Sequence, residues 1–232
     1  WDWNFGNGNS SSIQNPSFNF GAAGTYPVSL TATSNFGCEQ TVTQNATTYA
    51  LPTANFSAAS VCSGLNSSFV DLSTVALPEL INAWDWTFSD AQTSTVQNPS
   101  HSFPNEGIYA NNLVVTTANG CSGSVTLNNI VWPLPTVNFS ISDVCLNFAN
   151  GFVDQSTISN LHTNNSNIGW LWSFGDGNSA GFQNGTHVYN ADGTYNVKLR
   201  VTSNHGCIDS LTKIATVYPK PNAIVNGIDL TG

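Results

Sequence analysis

Five cysteines, four histidines and 13 carboxylates are the side chains of this 232-residue chain that could ligate a metal, attack a carbonyl or move a proton. Their spacing argues against most of that chemistry. A zinc site wants short paired spacings such as C-x-x-C, whereas Cys38, Cys62, Cys121, Cys145 and Cys207 stand far apart. A nucleophilic cysteine needs a cationic neighbour to hold it as thiolate, and Lys and Arg together number 4. Asp71 and Asp154 are each followed by a Ser two residues on. They are too widely separated to flank one glycosidic bond, so a structural role is expected. Asp176, between Gly175 and Gly177, is a candidate calcium ligand. Calcium takes about six or more oxygens and the nearest acid is Asp192, which favours a turn residue bonded to its own backbone. His162 and His205 have no evident partner. No Ser-His-Asp spacing, phosphate loop or metal cluster is present. The reading is therefore a non-enzyme without a cofactor, calcium at Asp176 being the one exception entertained.

The elements that would position these residues recur. Trp1-Asp2-Trp3-Asn4-Phe5, Trp84-Asp85-Trp86-Thr87-Phe88 and Trp170-Leu171-Trp172-Ser173-Phe174 are three copies of one segment. At equal distances beyond each first Trp come a glycine (Gly24, Gly107, Gly193), a tyrosine (Tyr26, Tyr109, Tyr195) and a cysteine (Cys38, Cys121, Cys207). Such a fixed period is the signature of a tandem array. An upstream half occurs twice, as Ala54-Asn55-Phe56-Ser57 with Cys62 and Phe69-Val70-Asp71, and as Val137-Asn138-Phe139-Ser140 with Cys145 and Phe152-Val153-Asp154. The third copy has an extra loop near His162–Asn167. The expected domains are a partial one at 1–53, complete ones at 54–136 and 137–222, and the first strand of a fourth repeat at 223–232. With Trp1 first and no Met in the chain, the sequence reads as a window on a longer array.

Trp1, Trp3 and Phe5, like Tyr26, Val28, Leu30 and Ala32, alternate with polar residues, the period-two pattern of strands buried on one face. Gly-Asn-Gly, Gly-Asp-Gly and Asn-Gly turns punctuate them. About seven short strands per repeat predict an all-β chain of tandem immunoglobulin-like sandwiches. Trp1, Trp3, Trp84, Trp86, Trp170, Trp172, Tyr26, Tyr109 and Tyr195 are the expected core aromatics. His101 and His187 share the slot of Phe18, which suggests packing. Asn111 falls where Val28 and Val197 point inward, so a local bulge is expected to turn it away. In each complete repeat one Cys follows the first strand and another sits in the last hairpin. The expected disulfides are thus Cys62–Cys121 and Cys145–Cys207, each closing about 60 residues for roughly 4 kcal/mol, with Cys38 unpaired. Disulfides imply an oxidising compartment. Trp132, beside Pro133, is the candidate interdomain or intersubunit contact.

Composition narrows the partners. The net charge is -9 with only 7% charged residues, and Asn, Ser and Thr fill roughly a third of the chain, far above globular usage. A chain so poor in basic residues has no footprint for nucleic acid and no polybasic patch for anionic lipid. No apolar run reaches the roughly 18 residues needed to cross a bilayer.

Trp170-Leu171-Trp172-Ser173-Phe174-Gly175-Asp176-Gly177, a segment like Asn98-Pro99-Ser100-His101-Ser102-Phe103, and Gly193-Thr194-Tyr195-Asn196-Val197 together resemble the signature of PKD domains. The likeness covers essentially the whole chain, although copy one has Asn7 in place of the Asp and copy two reads Ser89-Asp90-Ala91. The cysteine pair, the Asn-Gly-Cys turn and the Pro-Lys-Pro-Asn linker resemble PKD arrays of Bacteroidota surface proteins. That resemblance implies large extracellular adhesins, filaments or gliding proteins exported by type IX secretion. It also makes Ser210, in Asp209-Ser210-Leu211, a candidate O-glycosylation site. The linkers Leu51-Pro52-Thr53, Pro133-Leu134-Pro135 and Pro219-Lys220-Pro221 are short and semi-rigid, so the repeats are expected to line up as a rod. A face rich in Asn, Ser and Thr can meet a neighbouring rod without burying charge. The expected role is a disulfide-stapled structural or adhesive spacer whose partners are copies of itself or neighbouring repeats, with surface glycans as a further partner. The alternative is a spacer or carbohydrate-binding module of a secreted polysaccharidase or protease.

Overall fold

Strict alternation over short runs leaves a chain little choice but strands, and the computed structural model, which describes residues 1–161 and 164–222, contains only strands and turns among those residues. The first repeat has β1 (Asp2–Asn4), β2 (Ser10–Ser11), β3 (Gly24–Thr33) and β4 (Glu39–Thr48). The second has β5 (Phe56–Ala58), β6 (Val61–Cys62), β7 (Asn66–Asp71), β8 (Ile81–Thr87), β9 (Thr93–Ser94), β10 (Ser100–Ser102), β11 (Gly107–Thr117) and β12 (Ser122–Trp132). The third repeats that series as β13 (Phe139–Ile141), β14 (Val144–Cys145), β15 (Ala149–Asp154), β16 (Asn167–Ser173), β17 (Ser179–Ala180), β18 (Asn184–Val188), β19 (Gly193–Ser203) and β20 (Ile208–Tyr218).

Each complete repeat has two sheets. In the second they run β10-β7-β5 and β6-β12-β11-β8-β9, and in the third β13-β15-β18 and β14-β20-β19-β16-β17. The first repeat is a single sheet, β2-β1-β3-β4. The chain divides into two compact units. One comprises Trp1–Ala58, Ser68–His101 and Ala110–Asn128; the other comprises Ala59–Ser67, Ser102–Tyr109 and the chain from Asn129 onward. The division therefore runs through the second repeat. Residues 223–232, expected to open a fourth repeat, and His162 lie outside the described residues.

The third repeat's core packs Phe139, Phe152, Trp172, Phe174, Tyr189 and Leu199, all buried. Phe139 meets the Trp172 ring edge-on at 5.0 Å, as Phe56 meets Trp86 at 5.0 Å in the second repeat, the geometry that ring quadrupoles prefer. Trp86 and Trp172 are buried and donate Nε1–H to the carbonyls of Val96 and Phe182 at 2.9 and 2.8 Å. The outer tryptophans differ from the expected core. Trp84 and Trp170 are half-buried; Trp1 is 55% exposed, because among the described residues the first repeat has a single sheet with none opposite its inner face. Trp3 Nε1 there finds no protein acceptor among the described residues. Tyr26, Tyr109 and Tyr195 are likewise half-buried. Each stacks on one neighbouring ring (Phe20, Phe103, Tyr189) while its hydroxyl donates to the carbonyl four residues upstream.

Asn111 also departs from expectation. It is fully buried on the inward face of β11, and the register shift of that strand falls at Thr116/Thr117 instead. The third repeat carries a comparable shift at Asn167/Gly169, so the bulge belongs to the repeat and does not serve to turn Asn111 outward.

Candidate functional site: the joint between repeats

With no catalytic constellation in the sequence, the chemistry to locate is that which fixes one repeat to the next. Its first part is a hairpin turn. In the third repeat Ser203 N–H donates to the Cys207 carbonyl at 2.8 Å, Gly206 N–H to the Ser203 carbonyl at 2.9 Å, and Cys207 N–H to Ser203 Oγ at 3.1 Å. Gly206 has a left-handed φ of 78°, which glycine adopts without a Cβ penalty. The turn presents His205 and Cys207 side by side.

The second part is the far end of the preceding repeat. Strand β6 runs parallel to the last residues of β12, pairing Val61 with Val131 and Cys62 with Trp132, and Ser63 N–H donates to the Trp132 carbonyl at 2.8 Å. The two parts meet. Cys62 and Cys207 form a disulfide with Cα atoms 5.5 Å apart, and the Trp132 ring stacks on His205 with centroids at 3.5 Å and planes 3° apart. Trp132 is thus a strand residue whose partner is the next repeat's hairpin, and His205 has a partner that spacing did not reveal.

This bond corrects both expected pairings, since Cys38, Cys121 and Cys145 are free thiols. The reason is strand length. Cys145 lies beside Tyr218, at the last residue of β20, whereas Cys207 immediately precedes the first residue of that strand. Eleven residues of extended chain place the two about 35 Å apart, and disulfide Cα atoms lie within about 7 Å. The same register puts Cys62 at the Trp132 end of β12, the opposite end from Cys121.

The linkers are tied down as well. Thr53 and Thr74 exchange two backbone hydrogen bonds, as do Thr136 and Thr157. Pro52, Pro133 and Pro135 are buried. A Cβ on Gly123 would lie 2.2 Å from the Pro52 carbonyl, so only glycine lets the linker approach β12 this closely.

Asp71, Asp154 and Asp176 are each hydrogen-bonded within the protein. Asp71 Oδ2 accepts Trp84 Nε1–H at 2.7 Å and Gln97 Nε2–H at 3.1 Å, and Oδ1 accepts Ser73 N–H at 3.0 Å. Asp154 does the same with Trp170, Gln183 and Ser156. Burial alone would raise the Asp71 pKa, but the hydrogen bonds from Ser73, Gln97 and Trp84 outweigh it and hold the carboxyl below its ordinary value,. Asp176 follows the same logic: burial pushes it up, and bonds from His187 and Asn178 bring it below its ordinary value. Its Oδ2 sits 2.7 Å from His187 Nε2, while the imidazole stacks on Phe174 at 4.0 Å. Asp90 and His101 form the same pair at 2.8 Å, with His101 stacked on Phe88. In the first repeat Phe18 stacks on Phe5, and the Asp position is Asn7. The His–Asp pairs were overlooked in the sequence, although their joint replacement by Phe18 and Asn7 is a readable signal. No group of three or more His, Cys, Asp or Glu side chains suited to a metal occurs among the described residues. Ser210 is exposed on β20.

The sequence profile of the PKD domain matches residues 1–50, 49–131 and 149–218. Collagenase ColA of Clostridium perfringens is 45% identical over 56 residues, which span 24% of this chain and 5% of the collagenase. Among solved structures, the PKD1 domain of Vibrio anguillarum Epp is 28% identical, covering 35% of this chain and 93% of that domain with a TM-score of 0.32. The PKD1 domain of the Vibrio cholerae metalloprotease PrtV is also 28% identical, covering 35% and 96% with a TM-score of 0.32.

Proposed function

The chain belongs to the PKD-domain family, and on that premise we propose that it is a non-catalytic spacer segment of a large extracellular adhesin or filament protein. The observation that carries this reading is the joint: the Cys62–Cys207 disulfide and the Trp132–His205 ring stack at one place favour restricted swivelling between successive repeats. Tied linkers add to that stiffness. A spacer works by reach, and reach needs stiff joints more than it needs a binding pocket. The disulfide favours an oxidising, extracytoplasmic setting. The cysteine pattern and Pro-Lys-Pro linker support a Bacteroidota surface protein exported by type IX secretion, with Ser210 as an O-glycosylation site. The uncharged Asn/Ser/Thr surface supports lateral association of such rods.

Electron microscopy and small-angle scattering of the oxidised chain test the spacer role. Elongated particles of uniform length are expected, shortening or broadening in distribution after reduction. A population bent at every angle at the joint while oxidised would overturn it. Sedimentation across a concentration series tests lateral association, which predicts growth in mass with concentration.

The collagenase relative and the metalloprotease PKD structure favour a second reading, an accessory module of a protease that holds substrate. Binding of the isolated chain to fibrillar collagen or to a polysaccharide would support it.

A further inference from the structure

We propose that the third repeat's outer sheet face, marked by Lys198 and Arg200, is a docking surface for a second copy of this chain. The second copy meets it with the acidic outer face of its first or second repeat, at Asp2 or Asp85. The inference rests on the lateral association in the spacer reading and deepens it, by naming the faces that touch and the charges that set their register.

Strand alternation defines the basic face. On β19, Lys198 and Arg200 are exposed while Val197, Leu199 and Val201 between and around them are buried, so both cations point away from the core. Two positions along a strand set them about 7 Å apart. The chain has only 4 basic residues, and the other two are engaged. Lys213 donates to Asn138 Oδ1 at 2.8 Å and to the Phe139 carbonyl, and Lys220 lies over the Phe148 ring. Among the described residues the ion pairs are the two His–Asp contacts, and neither Lys198 nor Arg200 has a side-chain partner.

The same face has the opposite sign in the other repeats. Asp2 pairs across the ladder with Thr31, Asp85 with Val114, and Leu171 with Arg200. Thr31, Val114 and Arg200 each lie five residues beyond their repeat's tyrosine, so this is one place in three repeats. Two repeats put an exposed carboxylate there, and the third puts a guanidinium beside Leu171 instead. Asp2 and Asp85 also have no side-chain partner among the described residues. Glu39, exposed opposite Thr33, adds a second acid to the first repeat's face. Every Lys and Arg lies at or beyond residue 198, so the first two faces hold no base.

Repeats adjoining along the chain do not cover this face. The second repeat has one repeat before it and one after it, yet Asp85, Thr87, Ser124 and Thr126 on its outer face are all exposed. A second copy brings both signs at once. Third-on-third contact would set cations against cations, and second-on-second would set carboxylates against carboxylates, so charge selects the third repeat against the first or second.

Exposed ion pairs are each worth little, so here they fix register while apolar cover supplies affinity. Leu171, Ile208 and Ile214 are exposed on the basic face, and Ile108 on the second repeat's acidic face. Between these groups lie short uncharged side chains such as Ser210, Thr212, Ser124 and Thr126, which two flat sheets can bring together without burying further charge. Because the two surfaces differ, the contact is heterologous, and a bound copy still presents its own free faces to the next.

The test uses the 232-residue chain carrying Cys38→Ser and Cys145→Ser, which removes the exposed thiols and keeps the Cys62–Cys207 bond. Sedimentation over a concentration series at about 0.01 M salt should show reversible association that weakens about threefold or more at 0.15 M, as the Debye length falls. Lys198→Glu with Arg200→Glu should raise the dissociation constant about fivefold or more, and so should Asp2→Lys with Asp85→Lys. Mixing those two reversed chains should restore association, a rescue that a folding defect cannot produce. Carbodiimide coupling of a mixture of light and heavy-isotope chains should join Lys198 of one copy to Asp2 or Asp85 of another. Association unchanged by both reversals would overturn the inference while leaving lateral association standing, through another face. A chain monomeric at every concentration at low salt would overturn both. Cross-links confined to single chains, or reversals that abolish binding to an anionic polysaccharide such as alginate but leave self-association intact, would also overturn it.

Discussion

Pulling the oxidised chain from its two ends should leave the segment between Cys62 and Cys207 unextended, and reducing the bond should release it. The bond spans 145 residues. At about 3.4 Å per extended residue, the hidden length is about 490 Å. The expected pairings of the sequence reading, Cys62–Cys121 and Cys145–Cys207, would instead hide two stretches of about 60 residues, roughly 400 Å in all. A single-molecule extension experiment resolves that difference. It also offers a cleaner variant: Cys121→Ser should leave the oxidised extension unchanged, while Cys62→Ser and Cys207→Ser should each add the full 490 Å. The same bond lowers the entropy of the unfolded chain, worth about 5 kcal/mol for a loop of this size, so urea midpoints should fall on reduction. Added extension in Cys121→Ser, or a mass-mapped Cys62–Cys121 peptide, would refute the strand-length reasoning from which the joint is built.

Asp71→Asn places an amide N–H against either the Trp84 or the Ser73 donor, so a loss of about 2 kcal/mol is expected by denaturant titration, where an idle surface acid would cost almost nothing. Asp176 has a folded pKa below the ordinary 3.8, so its contribution is present above that value and fades as pH falls through the lowered folded value. Acid titration of Asp176→Asn should show a shallower loss of stability below about pH 4 than the parent chain. Trp132→Ala removes the ring under His205 and should cost about 1–3 kcal/mol. It should also broaden the distribution of particle lengths, as seen by electron microscopy, with the disulfide intact. Ser67→Ala removes the buried Oγ that accepts Asn129 Nδ2–H at 2.9 Å, and a loss of about 1–3 kcal/mol in thermal or urea unfolding is expected.

Much of this protein was legible in the order of its residues. Trp84, Trp86, Trp170 and Trp172 announce their strands because side-chain direction alternates along any extended backbone, a local rule that needs no partner. The repeat period follows from equal offsets to Tyr26, Tyr109 and Tyr195, whose hydroxyls all make the same bond four residues upstream. The structural role of Asp71 and Asp154 is readable from their equivalent places in two repeats and from a separation too large to flank one bond. The His101–Asp90 and His187–Asp176 pairs were also written there, in the simultaneous change to Phe18 and Asn7, though only a comparison between copies makes them visible.

The exposure of Trp1 and the burial of Asn111 were set by tertiary structure, since each depends on whether a second sheet lies opposite. The disulfide shows the limit most sharply. Spacing groups Cys62 with Cys121 because they share a repeat, yet an antiparallel pair of eleven-residue strands holds the end of a repeat and its hairpin about 35 Å apart. Which cysteines meet is decided by which strand ends adjoin across the joint. That is a property of three-dimensional register, to which distance along the chain is no guide.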